Sequence, residues 1–99
     1  MVKHIILWTL KEMNDAEKKS VKAAIKSGLE SLKGKIPGLV DIAVQTEGLA
    51  SSTADLMLDS TFEDAAALKN YSIHPDHVAV ANEKVRPFTA HRACLDFEI

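Results

Sequence analysis

The stretch that decides the fold of this protein is VKHIILWTL, residues 2–10. Its β-branched and aromatic residues are typical of a β-strand, and successive side chains of a strand point to opposite faces. One face carries His4, Ile6, Trp8 and Leu10, and the other carries Lys3, Ile5, Leu7 and Thr9. Both faces therefore bear large apolar groups, which a sheet with one face in water does not need. We expect both faces of this strand to be covered.

Outward from this strand, the apolar pattern alternates between helical and strand-like periods. The predicted helices span residues 14–34, 62–71 and 75–85, and the other predicted strands span residues 39–46, 54–62 and 88–99. The resulting order, β-α-β-β-α-β, is the α+β arrangement called ferredoxin-like. It predicts a four-stranded antiparallel sheet with the helices on one face.

Capping signals set the predicted helix boundaries. Asn14 can cap the first helix, and Glu17 three residues later completes a start that resembles a capping box. Gly34 suits the left-handed conformation that ends many helices. Thr61 is the expected cap of the second helix, and Pro75 suits the first position of the third.

Length and composition restrict the class of protein. The 99 residues have room for a single domain, residues 1–99, and the net charge is −2. Lysines interleaved with acids do not make the basic patch that nucleic acid requires, and no apolar run approaches the roughly 20 residues of a membrane span. The single cysteine, Cys94, excludes an intrachain disulfide, and its place in a strand predicts a buried, inert thiol. With no signal-peptide pattern at the start, these features predict a cytoplasmic protein.

The sheet face that the helices leave open still carries large apolar groups. A second sheet, from a second copy of the chain, is the simplest cover for that face. A single chain of this length also has a modest core, so pairing would add stability. We therefore expect a homodimer, with no nucleic-acid and no membrane partner.

Several pieces of the sequence resemble one known family over nearly the whole chain. They are VKHIILWTLKE at the start, IPGLVDIAV, ADLMLDSTFEDAAALKNY, HPDHVAV, and VRPF with DFE near the end. In this order and spacing, the chain resembles the stress-responsive A/B barrel, or Dabb, family. The resemblance implies a homodimer whose two four-stranded sheets pack face to face into an α/β barrel. It implies no particular activity.

One branch of that family has a more specific motif. Plant members that cyclise linear polyketides carry a Y-x-x-H-P-x-H stretch, which matches residues 71–77, YSIHPDH. On this match, Tyr71 corresponds to the cyclase tyrosine and His77 to the cyclase base, while His4 matches a position associated with the pocket. The same HPDH pattern is widespread among relatives without known cyclase activity.

The backbone around Pro75 makes this pair of residues chemically interesting. A residue that precedes proline is pushed out of the helical region, so the chain is expected to break at His74, and Tyr71 and His77 can converge on one cavity. A neutral histidine can accept a proton at neutral pH, and a tyrosine hydroxyl can stabilise an enolate-like oxygen. Together they could promote an aldol-type condensation. The alternative is structural: His74 caps or packs the helix start, and His77 packs in the barrel mouth or at the dimer interface.

A metal site is a further alternative. His74 and His77 have HxxH spacing with Asp76 close by, but a protein zinc site needs a third ligand. Only His4 or His91 could supply that ligand. We predict no metal, because two histidines do not make a site without a third ligand. We also predict no cofactor, because no haem or flavin motif is present.

The prediction for function is therefore a barrel cavity that binds a small apolar or weakly polar molecule. Its expected contacts are His4, Ile6, Trp8 and His74. The alternative function is a cofactor-free cyclase or isomerase that uses Tyr71 and His77.

Overall fold

The predicted β-α-β-β-α-β order is confirmed in the computed structural model, which describes residues 1–99. The strands are β1 (Val2–Leu10), β2 (Leu39–Gln45), β3 (Leu56–Phe62) and β4 (Thr89–Glu98). They form one sheet in the order β2-β3-β1-β4, and every neighbouring pair is antiparallel. The chain therefore has the ferredoxin-like fold, with β4 at one edge of the sheet.

The helical segments are α1 (Asp15–Glu30), α2 (Ala65–Ile73) and α3 (Pro75–Val80). A π-helical turn (Ala81–Val85) and a 3-10 turn (Arg86–Phe88) connect α3 to β4. None of these helices has both the length and the apolar character that crossing a bilayer requires.

Helix α1 begins as predicted but ends earlier. The Asn14 side chain accepts a hydrogen bond from the Glu17 backbone N–H at 2.8 Å, and its amide donates to the Glu17 carboxylate at 2.8 Å, which completes the capping box. The predicted end at Gly34 is wrong, because the helix stops at Glu30. The Ser31 hydroxyl donates to the Gly28 carbonyl at 2.6 Å, and such local bonds compete with continued helix.

The cap predicted for α2 is also wrong. Thr61 lies inside β3, and Asp64 is the cap, with its carboxylate accepting from the Ala67 backbone N–H at 2.8 Å. Phe62 is fully buried in the core, so the strand continues until that ring is in place. The helix can begin only after it.

The helices cover one face of the sheet only. Seventeen buried residues form the core between that face and the helices, including Ile6 and Trp8 of β1. On the opposite face, which we call the open face, apolar residues of three strands lie side by side, because directly paired residues share a face. The open face carries Ile5 and Leu7 of β1, Met57 of β3, and Leu95 and Phe97 of β4.

A glycine brings α2 close to the sheet. Gly38 precedes β2 with a φ of 82°, a conformation that residues with a side chain rarely adopt. A Cβ atom at Gly38 would lie 2.4 Å from the Ala67 Cβ. The absence of a side chain therefore lets α2 pack directly on the start of β2, and α2 carries Tyr71.

Candidate functional site

A cavity of about 710 Å³ lies on the helix side of the sheet, between strands β1 and β4 and the α2–α3 segment. Five of the predicted site residues line it: His4, Ile6, Trp8, Tyr71 and His77. The three residues of β1 reach the cavity because they occupy every second position of the strand and therefore share one face. Tyr71 and His77 reach it from the helices.

The break at Pro75 brings Tyr71 and His77 together. His74 has an extended backbone, with a ψ of 133°, and separates α2 from α3, as expected for a residue before proline. The ring centroids of Tyr71 and His77 are 4.1 Å apart, and the ring planes are inclined by 34°. The two side chains therefore converge on one cavity, as the sequence predicts.

The Tyr71 ring is held by other aromatic rings. Its centroid lies 4.9 Å from that of Phe62 and 6.2 Å from that of His4, with edge-to-face geometries that aromatic pairs favour. Only 1% of Tyr71 is exposed. The packing thus positions the hydroxyl and leaves the ring little freedom to move.

Two buried polar atoms of this pair have no hydrogen-bond partner within the protein. The Tyr71 hydroxyl and the Nδ1 atom of His77 are both buried without a hydrogen bond. Burial raises the pKa of Tyr71, so its hydroxyl stays protonated and can donate. Burial, assisted by the positive charges of Arg86 and Arg92, lowers the pKa of His77, although the Ser72 backbone opposes this shift. His77 is therefore held neutral near pH 7 and can accept a proton.

His74 lies apart from this cavity. Its Nδ1 atom accepts a hydrogen bond from the Asp76 backbone N–H at 3.1 Å, so the side chain caps α3. His74 is not among the residues that line the cavity. It also does not converge with His77 and either His4 or His91 into a set of three possible metal ligands.

Two residues that sequence reasoning missed complete the site. The Asp96 carboxylate hydrogen-bonds to Nδ1 of His4, and Cys94 lies beside both. The prediction of a buried thiol is wrong, since Cys94 is exposed: β4 is an edge strand that the helices do not cover. Cys94 and Asp96 share a face of β4, and the β1–β4 register aligns His4 with Asp96. The alternation of side chains along β4 can be seen in the sequence, but the register between β1 and β4 cannot.

Comparison with known families identifies one match. The family described as the stress responsive A/B barrel domain matches residues 2–99. No curated protein shows a significant sequence match.

Solved structures show the same fold over whole chains. A dimeric protein of unknown function with a ferredoxin-like fold, from Bacteroides fragilis, is 32% identical, with a TM-score of 0.91 and coverage of 99% of this chain and 95% of that chain. A Dabb family protein from Mesorhizobium loti is 20% identical (TM-score 0.76, 99% and 95% covered). The hydroxynitrile lyase from Passiflora edulis is 18% identical (TM-score 0.75, 99% and 92% covered). At such identities, the last two likenesses concern the fold alone.

Proposed function

The chain belongs to the stress-responsive A/B barrel family, and on that premise we propose that it binds a small organic molecule, apolar or weakly polar, in the cavity beside Tyr71. The volume of about 710 Å³ lies within the roughly 300–1,000 Å³ of ordinary ligand sites. Ten of the 18 lining residues are hydrophobic. Such a lining suits an aromatic or alkyl body with a few polar atoms.

The observation that carries this proposal is the unpaired hydroxyl of Tyr71. A buried hydroxyl without a hydrogen bond costs about 1–3 kcal/mol. A carbonyl or hydroxyl oxygen of a ligand would accept the hydrogen bond and recover that cost. The ligand therefore carries an oxygen acceptor at the end that meets Tyr71 and His77.

We also propose that the protein works as a homodimer in the cytoplasm. The open face exposes 43% of Leu7 and 66% of Leu95, and a second copy would cover both. The Bacteroides fragilis protein, at 32% identity, is described as dimeric. A single cysteine is typical of proteins that do not depend on the disulfides common in secreted domains.

A second candidate function is a cofactor-free cyclase, favoured by the contact between the Tyr71 and His77 rings. Neutral His77 would take a proton from the carbon between two carbonyls of a poly-β-ketone, while Tyr71 donates a hydrogen bond to the enolate oxygen. The enolate carbon would then attack a second carbonyl carbon, forming a C–C bond and an alkoxide. Protonated His77 would return its proton to that alkoxide, which restores the neutral imidazole.

Ligand binding can be tested with a matched pair of probes: a phenyl alkyl ketone and the alkylbenzene that lacks its carbonyl. Calorimetry should show that Tyr71→Phe weakens ketone binding by about 2–12-fold, which corresponds to one hydrogen bond of about 0.5–1.5 kcal/mol. Alkylbenzene binding should be equal in both proteins. Asn70→Ala, at an exposed neighbouring position, should bind both probes as wild type does. Equal ketone affinity in wild type and Tyr71→Phe, or no binding of either probe, would contradict the proposal.

Catalysis can be tested separately with a linear tetraketide thioester. His77→Ala should abolish cyclisation, and Tyr71→Phe should reduce the rate constant by about 10²–10³-fold, the effect of one lost oxyanion donor. His74→Ala is the matched histidine control and should retain the wild-type rate. If wild type does not exceed the buffer rate, or if His74→Ala loses as much as His77→Ala, the second candidate fails while ligand binding can stand.

A further inference from the structure

Three side chains with different donor atoms meet where β1 pairs with β4. His4 lies directly opposite Asp96 in the β1–β4 register, and Cys94, two residues earlier in β4, points to the same face. The His4 Nδ1 atom, the Cys94 sulfur and an Asp96 carboxylate oxygen all lie within 4.8 Å of one another. Imidazole, thiolate and carboxylate are the three ligand types that Zn²⁺ accepts in proteins.

Two of the three separations between these atoms fit coordination around one ion. Zinc bonds of roughly 2.0–2.3 Å arranged tetrahedrally place neighbouring ligand atoms roughly 3.4–3.6 Å apart. The Cys94 sulfur is 3.7 Å from His4 Nδ1 and 3.5 Å from the Asp96 carboxylate oxygen. The third pair, His4 and Asp96, is hydrogen-bonded and therefore lies closer together than two ligands of one ion. A cation that replaces the proton they share would move these two atoms apart.

The same geometry argues against a nucleophilic triad of these residues. In a triad, the base contacts the nucleophile with one ring nitrogen and the acid with the other. Here Cys94 and Asp96 both face Nδ1 of His4. Two groups that converge on one nitrogen are arranged as ligands of a common ion.

We propose that His4, Cys94 and Asp96 bind one divalent cation of the Zn²⁺ class, with a fourth position open to the cavity. Binding would release the Cys94 thiol proton, and the two positive charges of the cation would balance the resulting thiolate and the Asp96 carboxylate beside a neutral imidazole. The mixture of soft, borderline and hard donors favours Zn²⁺ over Mg²⁺ or Ca²⁺.

Access to the site is open. The Asp96 side chain is 45% exposed. Arg92, on the same face of β4, is exposed but interacts with the Cys94 thiol, so cation binding requires the Arg92 side chain to move away. The inference goes beyond the proposed function, because the cation can bind whether or not an organic ligand occupies the cavity.

The test uses Co²⁺ as a coloured substitute for Zn²⁺, with the full chain prepared metal-free and without a histidine tag. Because Cys94 is the only cysteine, a thiolate-to-cobalt charge-transfer band in the near ultraviolet reports this residue alone. We expect saturation at one Co²⁺ per chain and complete loss of the band when Zn²⁺ is added. Cys94→Ser should abolish the band, and Asp96→Asn should weaken Co²⁺ binding at least about tenfold.

Two variants serve as matched controls. Glu98→Gln changes a carboxylate on the same strand and face as Asp96, and His74→Ala removes a histidine outside the cluster; both should bind Co²⁺ as wild type does. His4 is buried, so His4→Gln is interpreted only with a circular dichroism melt that shows a folded chain. The proposal is overturned if wild type gives no charge-transfer band, or if Asp96→Asn binds Co²⁺ with unchanged affinity.

Discussion

Within strand β1, neighbouring side chains of similar character have different surroundings. Ile6 is 5% exposed and Trp8 is 4% exposed, whereas Leu7 between them is 43% exposed. Ile6 and Trp8 point to the helices, and Leu7 points to the open face. The helix side of the sheet is thus completed within one chain. The open face combines large apolar side chains with the Lys3–Asp59 ion pair, and its apolar side chains are not covered by any part of that chain.

The two faces also differ in chemistry. The unpaired atoms of Tyr71 and His77 and the cluster around His4 all lie on the helix side, near β4. Every residue of β4 after Thr89 is exposed, because the helices do not extend over this edge strand. The cavity therefore forms where the helical layer ends, and the apolar side chains of the open face are left uncovered.

The largest expected effect comes from placing a charge on the open face. Leu7→Asp would put a carboxylate into the proposed sheet-to-sheet interface, where an unpaired buried charge costs about 3–5 kcal/mol. Twofold symmetry introduces that charge twice. Sedimentation analysis should show dimer association weakened by about 100-fold or more, or lost.

The control for this prediction is Ala50→Asp, which adds the same charge in an exposed loop. It should remain dimeric. A wild-type chain that sediments as a monomer at micromolar concentration, or a Leu7→Asp chain that dimerises normally, would disprove the role given to the open face.

The next effect tests how tightly the helix side is packed. Gly38→Ala forces a left-handed alanine, at about 1–2 kcal/mol, and pushes a methyl group into Ala67, at about 1–3 kcal/mol more. Gly34 has a similar φ of 83°, but nothing lies within 4 Å of its would-be Cβ. Urea denaturation should show that Gly38→Ala loses about 2–5 kcal/mol and Gly34→Ala only about 1–2 kcal/mol. Equal losses would show that α2 does not depend on close contact with β2.

A smaller effect on stability is expected when the hydrogen bond between Ser60 and the His4 backbone is removed. Ser60 is fully buried on β3, and its hydroxyl donates to the His4 carbonyl at 2.8 Å. Ser60→Ala removes one hydrogen bond and should reduce the free energy of unfolding by about 0.5–1.5 kcal/mol. Ser51→Ala, in an exposed loop, should leave stability unchanged. A Ser60→Ala chain as stable as wild type would show that this bond does not support His4.

The smallest effect is a pH dependence that comes from His77. Its pKa in the folded protein is below the ordinary value of 6.5, mainly because of burial, so the unfolded chain binds the proton more readily. The stability contributed by neutral His77 is present above about pH 6.5 and is lost as the pH falls through the folded pKa. Urea denaturation from about pH 7.5 to about pH 5.5 should therefore show a decrease that is reduced in His77→Gln.

Tyr71→Phe is the control for this pH effect, since it keeps the ring that packs on His77. The decrease in stability should persist in that variant. A decrease of the same size in His77→Gln and wild type would assign it to other groups.

Much of this architecture could be predicted from local sequence. The alternation of residues 2–10, the Asn14 cap and the Pro75 break each depend on neighbours within a few residues. The convergence of Tyr71 and His77 follows from that break. The cap at Thr61 was predicted wrongly because the sequence does not show that Phe62 must reach the core before α2 can start.

The position of Cys94 and Asp96 beside His4 could not be predicted, because His4 lies about ninety positions away in the chain. Alternation places both on one face of β4, but only the β1–β4 register sets Asp96 opposite His4. The exposure of these two residues could not be predicted either, since a strand is buried or exposed according to where the helices end.

The sequence by itself determined which helices and strands form, their order and the two apolar faces of β1, because hydrophobic period acts over short distances. Only the tertiary structure decided which face the helices cover, which polar atoms are left unpaired, and how His4, Cys94 and Asp96 meet. Desolvation and the convergence of donor atoms arise from segments far apart in the chain, so they exist only once those segments are packed together.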